Sequence, residues 1–189
     1  MISRTLIIVL VLFISACANS PSKHYYALSA AMPETSSELQ TASIQKVIGV
    51  GPIKIPEYLQ ASRINYWKTA QQLSSTDHGF WAEPLELGIT RVLALNLQAA
   101  QPNWQVMQFP WLQSQKPALV VRVDIQRLDA FPNYALLEAR VDLVDSKTGS
   151  TRSKLIRTRV DSSADSASIA NAFSQLLQQA SATIASDLL

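Results

Sequence analysis

The segment Ala118–Leu128, ALVVRVDIQRL, alternates strictly: Leu119, Val121, Val123 and Ile125 fall on one face of an extended chain, and Val120, Arg122, Asp124 and Gln126 on the other. A period of two is the mark of a strand with one buried face. Tyr134–Val144, YALLEARVDLV, repeats the habit, and Asp145-Ser146-Lys147-Thr148-Gly149 supplies a tight turn into a further strand, Arg152–Val160. This is an antiparallel hairpin. Downstream, Asp165 or Ser166 caps a helix whose stripe of Ile169, Phe173, Leu176, Ala180, Ile184 and Leu188 runs to the end of the sequence.

Upstream of the hairpin a second helix is signalled by Trp81-Ala82-Glu83-Pro84. Proline suits a helix start because its missing N–H is not needed there, and Glu83 and Glu86 complement the positive helix end. Leu85, Ile89, Val92, Leu93 and Leu97 then recur at helical spacing up to Gln101-Pro102-Asn103. Trp104 to Phe109 reads as a strand and Pro110 to Pro117 as a loop. The first half is mainly strand and turn: Tyr25–Leu28, Ile44–Val50 continued by Ile53-Lys54-Ile55-Pro56, and a hairpin of Arg63–Lys68 with Gln71–Thr76, with a polar loop from Ser29 to Ser43. Strands in blocks flanked by two long helices specify an α/β layered sandwich with a mixed sheet.

The amino-terminal stretch is of a different kind. Arg4 provides a positive start, Leu6 to Ile14 (LIIVLVLFI) is uninterruptedly apolar, and Ile14-Ser15-Ala16-Cys17 reads as a lipobox. A membrane-spanning helix needs about 20 apolar residues, so this run is too short to remain as an anchor. Cleavage between Ala16 and Cys17 is expected, with Cys17 as the lipid attachment point. Each buried methylene contributes ~0.8 kcal/mol, so two or three acyl chains hold a protein at a membrane essentially permanently. The sequence thereby divides into a signal peptide (1–16), a lipidated tether (17–24) and one domain (25–189), within the usual size of roughly 100 to 200 residues per domain. Ala18 follows the cysteine where enteric-type inner-membrane lipoproteins commonly carry Asp, which directs the expectation to the outer membrane.

Loss of Arg4 takes the formal charge of +2 down by one, and no cluster of cations with interleaved aromatics survives. Nucleic acid is not an expected partner. Cys17 is the sole cysteine, so the fold stands on its hydrophobic core without disulfides.

No cofactor, metal site or catalytic residue is assigned. The two histidines, His24 and His78, lie in the tether and in the turn-like Asp77-His78-Gly79, and no Gly-x-Ser-x-Gly elbow is present. Two histidines without a free thiol are a poor zinc set, and the five glycines are scattered instead of forming a phosphate loop. Energy must come from a partner.

Four tryptophans offer large apolar area. Trp81 and Trp104 each begin an amphipathic element and are expected in the core. Trp111, between Phe109-Pro110 and the polar Gln113-Ser114-Gln115, is the candidate partner contact, with Tyr58 and Leu59 after Pro56 as a second.

Three blocks carry a family resemblance: Tyr25-Tyr26-Ala27-Leu28, then Ile48 to Leu59 (IGVGPIKIPEYL), then Phe80-Trp81-Ala82-Glu83-Pro84-Leu85 running through Asn96-Leu97. In this order and spacing the chain resembles the PqiC/YmbA-type ABC-transport auxiliary lipoproteins. The resemblance implies a three-layer α/β/α sandwich like anticodon-binding domains. It implies an outer-membrane lipoprotein facing the periplasm, serving an intermembrane lipid-transport system that contains a mammalian-cell-entry (MCE) domain protein. A ring of copies also fits such a bridge. The expected function is a non-enzymatic adaptor. Its rivals are a direct lipid carrier, which needs an apolar pocket between helix and sheet, a lipoprotein hydrolase, which needs a histidine-centred constellation, and a purely structural envelope lipoprotein.

Overall fold

The computed structural model describes residues 22–31 and 46–188. Ala16, Cys17 and most of the tether lie outside the described residues. Ten principal elements follow: β1 (His24–Tyr26), β2 (Lys46–Lys54), β3 (Arg63–Trp67), β4 (Leu73–Trp81), α1 (Leu85–Ala100), β5 (Trp104–Gln108), β6 (Leu119–Ala130), β7 (Tyr134–Asp145), β8 (Thr151–Asp161) and α2 (Ser166–Leu188). The strands form a five-stranded sheet ordered β5-β2-β6-β7-β8 and a three-stranded sheet ordered β1-β4-β3.

The alternation in β6 and β7 decides the larger sheet. Val121, Val123 and Ile125 with Ala135, Leu137, Ala139, Val141 and Leu143 are all buried on one face. β6, β7 and β8 are antiparallel, whereas β2 is parallel to both β5 and β6, so the sheet is mixed. A register shift between Ile125 and Arg127 carries Leu128 into the core after the simple alternation ends.

Both helices close over the buried face. α1 packs on β5 and β2, α2 packs on β7 and β8, and the two helices pack on each other. Phe173 in α2 stacks on Trp81 at 5.9 Å between ring centroids; burying a side chain of that size contributes roughly 1.5–3 kcal/mol. The outward face of β6 to β8 carries polar pairs instead, including Arg140 with Asp124 at 3.0 Å and Arg157 with Glu138 at 3.5 Å. Exposed pairs of this kind contribute little, about 0.2–1 kcal/mol. The α/β class is the one read from the sequence. The mixed sheet is likewise the one read from the sequence, and both helices lie on its buried face.

The smaller sheet ties in the amino-terminal segment. β1 runs parallel to β4, pairing Tyr25 with Phe80, and Leu28 enters the core. The Ser29 N–H donates to Ser174 Oγ at 3.1 Å and the Ala31 N–H to Asn96 Oδ1 at 2.9 Å, fastening the segment to both helices. Glu83 finds its partner in Arg91, which also donates to the Leu28 carbonyl at 2.9 Å. β4 is longer than the hairpin strand expected from Gln71–Thr76. His78 and Gly79 belong to it and not to a turn, because β1 supplies a second partner strand that local sequence does not reveal. A Cβ on Gly79 would collide with Ser166 Oγ, so this glycine marks where the start of α2 meets the strand.

Candidate functional site

The connection from β5 to β6, residues 109–118, has to cross the strand between them, since both are parallel neighbours of β2. It crosses on the face opposite the helices. Two glycines make room: Gly49 and Gly51, two apart, point to the same side of β2. A Cβ on Gly49 would lie 2.7 Å from Trp111 Cζ3 and 2.6 Å from Pro117 Cγ, and one on Gly51 would lie 2.7 Å from Phe109 Cβ. Gly51 also has φ +114, a conformation that favours glycine. The crossover is pinned at both ends, the Phe109 N–H donating to the Val50 carbonyl at 2.9 Å and the Ala118 N–H to the Val47 carbonyl at 3.0 Å.

Trp111 is therefore half-buried, one face of its indole lying on bare backbone. Phe109 meets it edge-on at 5.3 Å. The apolar surface open to water belongs to its neighbours: Phe109 is 48% exposed and Leu112 67%. A rigid aromatic platform with an exposed apolar rim is suited to contact with another macromolecule. Sequence reading singled out Trp111 and missed Phe109 and Leu112; the Gly49-x-Gly51 spacing within a strand is the signal that points to the crossover.

The second candidate pair divides. A short 3-10 turn, Glu57–Leu59, turns Leu59 into the hydrophobic core and leaves Tyr58 half-buried. The Tyr58 hydroxyl donates to Asp129 Oδ1 at 2.7 Å, and Arg127 Nε donates to Asp129 Oδ2 at 2.8 Å. The Asp129 side chain is 4% exposed, so this pairing is what makes its burial tolerable. Burial, and then the hydrogen bond to the Asp129 carboxylate, push the Tyr58 hydroxyl well above its ordinary value of 10. Tyr58 also meets Trp67 edge-on at 5.6 Å. The arrangement braces the turn against the end of β6.

His24 and His78 line one shallow depression with Asp77, Asp165 and Ser166. The Ser166 hydroxyl donates to Thr76 Oγ1 at 2.8 Å, and His24 Nε2 lies 3.4 Å from Ser22 Oγ. Among the described residues, neither imidazole holds a hydroxyl on one side and a carboxylate on the other. No group of three or more metal-ligating side chains forms among the described residues. A separate cleft of about 470 Å³ opens between α2 and the β7–β8 hairpin, with Val141, Leu143, Ile156 and Ile184 at its base and Lys154 paired with Asp187 at 2.7 Å on its rim.

No curated protein matches the chain. A solved structure of an uncharacterized protein superposes with a TM-score of 0.73 at 19% identity, covering 89% of this chain and 100% of that one. A Xanthomonas campestris protein of the family model DUF330 superposes at 0.67 and 18% identity, over 88% of this chain and 94% of its own. At such identities the likeness speaks for the fold alone. The family model for the ABC-type transport auxiliary lipoprotein component matches residues 26–185, which takes in both sheets, both helices and the crossover over Gly49. The chain belongs to the family of ABC-type transport auxiliary lipoprotein components.

Proposed function

We propose that this protein is a non-enzymatic adaptor: acylated on Cys17, held on the periplasmic face of the outer membrane, and docking an MCE-domain protein of an ABC-type intermembrane lipid-transport system. The observation that carries the contact is the exposed rim of Phe109 and Leu112 on the Trp111 platform, a surface fixed by the sheet beneath it. Family membership supports the transport system as its setting. Trp111 and the open edge of Tyr58 are the proposed contact residues, while Leu59 braces the turn from inside. A closed ring of copies joined head to tail is the alternative use of this rim, since closure satisfies the interface in every copy.

Affinity purification of the acylated protein from detergent extracts tests this reading. An MCE-domain protein is expected to co-purify. Capture of no envelope protein under conditions that keep the complex of permease and ATPase intact overturns it.

The cleft beside α2 favours one second reading, a direct lipid carrier, because its apolar base suits an acyl chain and Arg152 in its lining suits an anionic headgroup. Mass spectrometry of lipids extracted from the purified domain separates the two: stoichiometric phospholipid, lost on Arg152→Glu with the fold retained, supports the carrier.

A further inference from the structure

The face of the smaller sheet beside the tether gathers four side chains that the adaptor reading leaves unused. Tyr25 is 63% exposed, and its ring stands 5.9 Å from that of Phe80. Lys23 Nζ lies 5.4 Å from the centre of the Phe80 ring and Arg63 Cζ 5.3 Å from it. The register explains the gathering, since Phe80 pairs with Tyr25 on one side and with Arg63 on the other, and Lys23 is two residues from Tyr25. Neither Lys23 nor Arg63 has a carboxylate partner among the described residues, although six other ion pairs form there.

From this geometry we infer that Lys23, Tyr25, Arg63 and Phe80 form a docking face for a phospholipid bilayer with anionic headgroups. The inference rests on acylation of Cys17, and two considerations select the occupant. The first is reach: Lys23 is six residues from Cys17, at most about 20 Å of extended chain, so this face cannot leave the vicinity of the headgroups. Hydrogen bonds from Ser29 and Ala31 to the helices, with β1 paired to β4, make Lys23 and Tyr25 part of the folded domain. α2 runs from Ser166, beside Thr76, to Asp187, beside Lys154. Its 23 residues span about 34 Å, so the Asp187 end of the domain lies farther from the tether's attachment than the tether is long.

The second consideration is chemistry. An exposed tyrosine with a polar tip belongs at the headgroup level, and unpaired cations beside it attract anionic lipid. Cations over an aromatic ring hold the cluster in one arrangement without neutralising it. The docking face turns the molecule so that the crossover, lying over the first residues of β2, faces away from the bilayer. It thereby deepens the adaptor reading by setting which surface is left for a partner.

The test uses the full acylated protein in vesicles of phosphatidylethanolamine and phosphatidylglycerol. With Cys17 occupied by lipid, an introduced cysteine is the only free thiol, so one fluorophore is placed at Ser62→Cys beside Arg63 and, in a second preparation, at Thr148→Cys in the β7–β8 turn. Quenching by nitroxide-headgroup lipid is expected at position 62 and not at 148. Lys23→Glu with Arg63→Glu should lower vesicle contact at position 62 by about thirtyfold in the docked-to-undocked ratio, while flotation with the vesicles is retained. Flotation with position 62 as open to aqueous quencher as position 148, or undiminished quenching in the double variant, overturns the docking face alone. Failure of the parent to float overturns the anchor, and the docking face with it.

Discussion

The Trp111 indole occupies the space that a side chain on Gly49 would need, a Cβ there lying 2.7 Å from Cζ3 and 2.8 Å from Cη2 of the ring. A bare stretch of backbone in the middle of a sheet and a large aromatic in a loop thus form one feature. Gly49→Ala forces the ring or Pro117 to move, and overpacking of this kind costs about 1–3 kcal/mol. Trp111→Ala removes the obstacle, so the penalty of Gly49→Ala should shrink in the double variant, and denaturant titrations of the four proteins measure the coupling. A Gly49→Ala protein as stable as the parent contradicts the platform.

Tyr58→Phe withdraws the donor from Asp129 Oδ1 and leaves a buried carboxylate half-satisfied, at a cost of about 1–3 kcal/mol. The same pairing has a pH signature. Because the folded protein holds the Tyr58 proton more tightly than the unfolded chain, whose tyrosine ionises near 10, stability is fully present below that pH and is lost as pH rises above it. Stability of the parent between pH 8 and 11 should fall more steeply than that of Tyr58→Phe. Parallel curves would remove Tyr58 from the account.

Asp165 Oδ1 accepts the Ser168 N–H at 2.9 Å at the start of α2. Asp165→Ala should cost about 1 kcal/mol, as loss of a helix cap does. The Ser163 hydroxyl first, and then the Ser168 N–H, hold this carboxyl below its ordinary value of 3.8. The unfolded chain therefore takes up the proton first on acidification, and the contribution present at neutral pH is lost as pH falls through the folded value. Thermal unfolding of parent and variant should differ at pH 7 and converge in strong acid.

Cys17→Ser is expected to abolish incorporation of labelled palmitate and membrane retention together. Sedimentation of the parent with outer-membrane markers on a density gradient checks the destination inferred from Ala18. A Cys17→Ser protein that still fractionates with membranes as tightly as the parent contradicts lipid anchoring.

The elements with clean periodicity were legible in the sequence. β6 and β7 alternate as strands with one wet face must, and α1 begins just after Pro84, where the proline signal put it. Three features were not legible, each because it depends on a distant partner. His78 reads locally as a turn residue, but β1 pairs alongside and extends β4 through it. The placing of both helices on one face follows from strand order, which no single segment encodes. Trp111 stands out in the sequence for its polar neighbours, and its half-buried state depends on glycines some sixty residues earlier. Gly49 and Gly51, as same-face positions of one strand, are the sequence sign of the close approach.

The proposed adaptor requires contact through the crossover rim. Capture of the MCE-domain partner by the acylated parent is compared with capture by Phe109→Ser combined with Leu112→Ser, with circular dichroism to confirm that the variant is folded. If the rim is the anchor of the interface, the pair should lose at least ~2 kcal/mol of binding, a fall of roughly thirtyfold in affinity or more. A folded double variant that captures the partner with the affinity of the parent contradicts the adaptor surface.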